Sequence, residues 1–301
     1  HASPSVMGAA VRLVRQRDRS ARIRIPRLAQ ENRMKLRLGV VVGLLVATAA
    51  SGSAQWLRHP DTRIPRTADG RPDLKAPAPR LPDGRVDLSG VWYPDARATD
   101  GGFPQGQVLG EDPVIRLKTA DGAPFPLLPA AQAEYDERLR RGDQGPSSRC
   151  LPHTIVDNFL VPTPFKFVHA PGLTIMLFEE FQHFRQVFTD GRPLPADMQP
   201  AWFGYSVGRW EGDEFVIETA GFNTQGWLDL TPLAHSESLR TTERFRRPSA
   251  GTLQVQVTIN DPTRFSRTWR TQTIAFRLLP DTDLVEYICD NDRTLKPTPG
   301  Q

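Results

Sequence analysis

From residue 252 to residue 260 the side chains alternate without a break: Leu253, Val255, Val257 and Ile259 on one side, Gln254, Gln256 and Thr258 on the other. In an extended chain that period of two buries one face and leaves the other wet or lining a polar cavity. The run begins just after Pro248-Ser249-Ala250-Gly251 and stops at Asp261-Pro262, both turn sequences. Similar runs at 165–169, 173–179, 184–189, 203–210, 214–219, 235–246, 268–278 and 283–289 predict further strands. Glu211-Gly212-Asp213 joins two of them as a hairpin, and Asp190-Gly191-Arg192-Pro193 breaks another. The spacing predicts one short helix over 130–141, opened by Pro129 and closed by Gly142. The chain is therefore expected to be mainly β, an antiparallel meander that closes as a barrel.

The N-terminal third has a different character. Met34, Lys35 and Arg37 precede an uncharged run over 38–50 and the small residues Gly52, Ser53 and Ala54, the pattern of a secretory signal peptide cut near Ala54. The run is shorter than the roughly 20 residues of a membrane span. Residues 1–33 read as in-frame sequence upstream of that start and carry no functional weight. Residues 1–54 hold 10 Lys+Arg against 2 Asp+Glu, so the other 247 hold 28 against 32 and the formal net charge falls from +4 to −4. A basic, nucleic-acid-binding reading is thereby removed. A periplasmic or secreted location is expected, with no membrane span. There, Cys150 and Cys289, the two cysteines of the chain, are expected to pair.

Residues 55–88 read as a Pro- and Gly-rich extended arm, and 89–301 as the barrel domain. The arm contains a duplication: Thr67-Ala68-Asp69-Gly70-Arg71-Pro72-Asp73-Leu74 is echoed by Leu81-Pro82-Asp83-Gly84-Arg85-Val86-Asp87-Leu88. Two copies are too few for a solenoid, and each Asp-Gly reads as a turn. Gly90-Val91-Trp92 resembles the Gly-X-Trp start of lipocalin-like barrels, which implies that Trp92 plugs one end. A longer string resembles a broad group of exported bacterial β-rich proteins. It comprises Asp87-Leu88-Ser89-Gly90-Val91-Trp92, Cys150-Leu151-Pro152, Asp190-Gly191-Arg192-Pro193 and Gly208-Arg209-Trp210-Glu211-Gly212-Asp213. It continues through Thr219-Ala220-Gly221-Phe222-Asn223, His235-Ser236-Glu237, Glu243-Arg244-Phe245, Asp261-Pro262 and Glu286-Tyr287-Ile288-Cys289. That resemblance implies export and one β-rich architecture, and it carries no catalytic residue across.

Two constellations are candidates for chemistry. His235 and Glu237 are two apart, and on a strand their parity continues to Glu243, so an imidazole and carboxylates would share a face as base and orienting partner, or as part of a metal site. Glu179, Glu180, His183 and Arg185 form the second cluster, at the join of two strands, where Arg185 could stabilise negative charge. Trp202, Tyr205, Trp210 and Trp227, with His183, could wall a ligand site. The expected function is binding of a small organic molecule in a partly polar barrel cavity. The alternative is a hydrolase, lyase or isomerase on the same barrel using His235 with Glu237 or Glu243 and with Arg185, metal-assisted or not. No phosphate-binding glycine loop or nucleophile elbow is present.

Overall fold

The computed structural model describes residues 60–99, 108–109, 112–113 and 115–289. The signal-peptide reading lies outside them. Nine strands close a barrel: β1 (Gly90–Pro94), β4 (Phe165–Ala170), β5 (Leu173–Phe178), β6 (Phe184–Phe188), β7 (Tyr205–Glu211), β8 (Glu214–Ala220), β9 (Arg240–Ser249), β10 (Thr252–Asn260) and β12 (Ile274–Leu279). Each pairs with the next in that order, and β12 returns to β1. A two-strand hairpin, β2 (Val108–Leu109) with β3 (Asp112–Pro113), and a short strand, β11 (Trp269–Arg270) on β10, complete the strands. The helix α1 (Pro129–Arg141) stands where the sequence puts it, ended by Gly142 with φ 68°.

The meander is not wholly antiparallel. Directions alternate around an antiparallel barrel, so an odd number of strands forces at least one parallel pair. That pair is β6 with β7, held through Val187–Ser206 and Phe188–Val207, and residues 189–204 supply the crossover a parallel pair requires. Three further strand expectations are corrected. Extended pairing begins at Arg240 rather than at residue 235. The run over 268–278 divides at Thr271 and Gln272, whose backbone and side-chain groups bond instead to Val257, Arg116 and Lys118. Residues 283–289 form no strand, only a bridge between Tyr287 and Glu180.

The register gives the barrel two unlike ends. One carries the tight β4–β5, β7–β8 and β9–β10 turns; the other carries residues 95–99, 115–164, 179–183, 221–239 and 261–273. The arm covers the turn end. Its duplicated segments are two small hairpins, bridged at Arg66–Pro72 and Arg80–Val86. Each is clamped to the body by its arginine, Arg66 on Asp281 and Arg80 on Asp213 at 2.9 Å. Backbone bonds from Ala250 to Ala76 and from Gly251 to Leu74 fasten the stretch between them. Trp92 is fully buried here, its Nε1 donating to the Leu88 carbonyl at 2.8 Å. The Arg247 guanidinium lies 4.8 Å over its ring and donates to the carbonyls of Asp87, Ser89 and Ala250. Gly90 sits at φ 132°, a conformation L side chains rarely adopt, and a Cβ there would also have to displace the Leu278 Cδ1 at 2.6 Å.

Aromatic side chains fill the lumen. Phe165, Phe167, Phe245 and Phe276 point inward from the strands, and Phe159 enters from a short 3-10 turn (Asp157–Phe159) with its ring 5.9, 5.6 and 5.8 Å from Phe165, Phe245 and Phe276. The partly polar cavity expected inside the barrel is occupied by these rings and by one buried ion pair.

Candidate functional site

That ion pair joins Arg185 on β6 to Glu243 on β9. The guanidinium grips the carboxylate through two bonds of 2.6 and 2.8 Å, and both side chains are almost wholly buried. Ser206, Thr219 and Thr241 supply the remaining partners at 2.5 to 3.2 Å. Glu243 and Arg185, which the enzymatic alternative places at one site, are thus brought together, but each occupies the other. A saturated bidentate pair holds strands and leaves no group free for a substrate.

His235 and Glu237 are separated from that pair. Ser236 is drawn out of the strand by Asp261, which accepts from its backbone N and its hydroxyl, both at 2.7 Å. Ser238 N then bonds back to the Ser236 hydroxyl, so residues 236–239 form a turn and the strand parity is lost. Glu237 is exposed. His235 is buried against Phe222 with Nδ1 on the Ser236 carbonyl and Nε2 without a partner, and burial pushes its pKa down. Its Nε2 and the Thr154 side chain both lie against Gly226, out of contact with solvent.

The four aromatics do not form one wall. Tyr205 begins β7 and Trp210 lies near its other end, roughly 17 Å away along the strand. Trp210 packs on Phe215 under Arg85 at the turn end. Trp202 and Tyr205 are half-buried at the loop end. Trp227 is buried, with its carbonyl accepting from the Thr154 hydroxyl.

What the loop end gathers is a different cluster. His153 is buried between two carboxylates, Nδ1 bonded to Asp157 and Nε2 3.3 Å from Glu180 Oε1. Burial alone would lower its pKa, but the charge and hydrogen bond of Asp157 and the bond to Glu180 outweigh it and raise the value to about 10. His153 is therefore an imidazolium at neutral pH and cannot serve as a base. Asp229, buried and accepting from Leu230 N and Thr231, is raised by desolvation and by the Asp157 charge to about 6. Next to Glu180 stands His183, whose pKa burial lowers against the pull of the Glu180 charge.

Three buried polar atoms here lack a hydrogen-bond partner: Asp157 Oδ1, Glu180 Oε2 and His183 Nε2. Glu180 Oε2 does lie 3.1 Å from His153 Nε2, an ion contact without the angle of a hydrogen bond. Rings pack on His183. His183 meets Phe203 at 5.9 Å and Phe181 at 5.9 Å, and Phe181 meets Tyr287 at 5.6 Å. The β5–β6 turn that presents them is strained, because Phe181 (φ 55°) and Gln182 (φ 54°) both sit in the left-handed region. That conformation costs roughly 1–3 kcal/mol for each such non-glycine residue and concentrates at functional sites. The disulfide Cys150–Cys289, with 5.5 Å between Cα atoms, ties the segment before His153 to the segment after Tyr287.

The sequence reading singles out Glu180 and His183 of this cluster and does not single out His153, Asp157 or Asp229. The available signal was the proximity of His153 to Cys150 in Cys150-Leu151-Pro152-His153, with Asp157 four residues on. Among the described residues no three His, Cys, Asp or Glu side chains converge as a metal-binding group, and no helix is long and apolar enough to cross a membrane. Comparison with family models, with curated proteins and with solved structures gives no match to this chain.

Proposed function

We propose that this chain is an exported binding protein for a small organic molecule, and that its site is the loop end of the barrel around Glu180 and His183, not the lumen. One observation carries the reading: Asp157 Oδ1 and His183 Nε2 have no hydrogen-bond partner, Glu180 Oε2 has only its ion contact with His153, and Phe181 and Phe203 pack on His183 with Tyr287 on Phe181. Buried polar atoms are nearly always satisfied, so a group of orphans beside aromatic faces suits a ligand that brings the missing partners. The disulfide is consistent with an oxidising compartment. Binding is favoured over catalysis by His235 because that imidazole is buried and apart from Glu243.

An enzymatic reading survives at one residue. Burial lowers the His183 pKa, and its Nε2 stands unpartnered beside Glu180, the arrangement of a base with a carboxylate neighbour. Both readings are tested by ligand-observed NMR screening of a small-organic fragment mixture against the protein and against Glu180→Gln and His183→Ala. Loss of the hits in both variants is the expected result, with His183→Ala melting as the native protein does and Glu180→Gln still folded at the screening temperature. Hits that persist in both would overturn the assignment of the site.

A further inference from the structure

After β12 ends at Leu279, residues 280–289 run from the turn end to the loop end along the outside of β4 and β5. Asp281 accepts from Arg66 and from Asp61 N, and Asp283 takes Lys166 Nζ at 2.7 Å. Higher up, Val285 N donates to Glu179 at 2.9 Å, Tyr287 bridges to Glu180 and stacks its edge near Phe181, and Cys289 is bonded to Cys150. The strap thus ends directly over the strained turn that carries Glu180 and His183.

Its upper part is bound in an unusual way. Val285, Tyr287 and Ile288 are 43%, 42% and 65% exposed, so apolar burial contributes little to holding it down. Fixing the backbone and side chains of these residues has an entropic cost that the hydrogen bond at Val285 and the bridge and ring contact at Tyr287 offset only in part. The covalent bond to Cys150 fastens the end of the strap. Neither cysteine belongs to a barrel strand, and every strand pairing that closes the barrel lies between Gly90 and Leu279.

We propose that residues 284–289 are a redox-released cover: reduction of Cys150–Cys289 frees this part of the strap, uncovers Glu180 and His183, and leaves the barrel folded. The reductant is a dithiol. One of its thiolates attacks a cysteine sulfur, the protein S–S bond breaks and a mixed disulfide forms; its second thiolate then displaces the protein sulfur. The two electrons of the dithiol end on Cys150 and Cys289 as thiols, and the dithiol leaves as its own disulfide. Both cysteines are half-buried rather than enclosed in the core. The release itself needs no ligand; only the use of the uncovered groups rests on the binding reading above.

The test is hydrogen exchange read by mass spectrometry on the folded protein with and without dithiothreitol, and on Cys289→Ser, together with the rate at which diethylpyrocarbonate modifies each histidine. Reduction is expected to speed exchange over 284–289 and modification of His183 by about tenfold or more, with β4 to β10 and His235 unchanged. Unchanged exchange over the strap, unchanged His183 reactivity, or loss of protection in the barrel strands together with the strap would each overturn the proposal. Reduction of the already folded protein keeps the test open if Cys289→Ser does not fold. All of these readings are made without ligand, so failure of the fragment screen would leave them standing.

Discussion

The two ends of this barrel close the same wall by opposite means. At the turn end the strands are joined by two-residue connections, and the arm hairpins bring Arg66 and Arg80 onto Asp281 and Asp213 while Arg247 covers Trp92. His169 Nε2 and Arg247 Nε stand unpartnered there, yet the imidazole stacks on Phe167 and the guanidinium has three carbonyls, so both groups are held. At the loop end long connections fold over the opening, and a histidine, three carboxylates and a second histidine meet with three orphan atoms and a strained turn. A fold that needs only to be closed can do so with turns and packing. Groups held with their bonding capacity open, on a costly backbone, are what binding requires.

The largest effect should come from the end read as structural. Replacing Trp92 by Ala removes a fully buried indole and the surface on which Arg247 rests, a loss of about 3–5 kcal/mol in urea unfolding. Fragment binding should be unaltered in the protein that remains folded. If Trp92→Ala instead removes binding at low urea, the division of labour between the ends fails.

At the other end, His153→Ala should cost about 3 kcal/mol at pH 7, because Asp157 and Glu180 are left as buried carboxylates without a cation. The pH dependence sharpens this. Folding raises the His153 pKa from 6.5 to about 10, so its stabilisation is complete below pH 6.5 and is lost as pH rises through about 10. Unfolding free energies of the native chain should fall across that interval, and those of His153→Ala should not.

Asp229→Asn should act in the opposite sense. Asp229 rises from 3.8 to about 6, so the folded state prefers it protonated and stability falls as pH climbs from about 4 to 6. The asparagine variant should be more stable at pH 7 by on the order of 1–2 kcal/mol and should gain nothing below pH 4. A smaller gain, about 1 kcal/mol, is expected for Gln182→Gly, which accepts φ 54° without a side-chain clash. Thermal melts measure it, and a weaker fragment affinity should accompany it if the turn positions His183.

These contrasts also explain what could be read from the sequence. The β10 face of Leu253, Val255, Val257 and Ile259 was legible because burial on one side writes a period of two into the chain. So were α1, with Pro129 and Gly142 at its ends, and the pairing of Cys150 with Cys289. The parallel β6–β7 seam was not, since it follows from the number of strands in the closed ring rather than from any local pattern. The face shared by His235, Glu237 and Glu243 failed because Ser236 answers to Asp261, 25 residues away. Glu180 and His183 stood out as charge between two strands, whereas His153, Asp157 and Asp229 lie in loops whose sequences have no period and whose meeting depends on the barrel having closed.

The most direct measurement is a long-range 1H–15N spectrum of the histidine side chains, recorded on the protein with and without the strongest fragment hit. Binding around Glu180 and His183 predicts movement of the His183 and His153 imidazole signals, with His169 and His235 unmoved. Movement of His169 or His235 with His183 unchanged would place the ligand elsewhere and contradict the account.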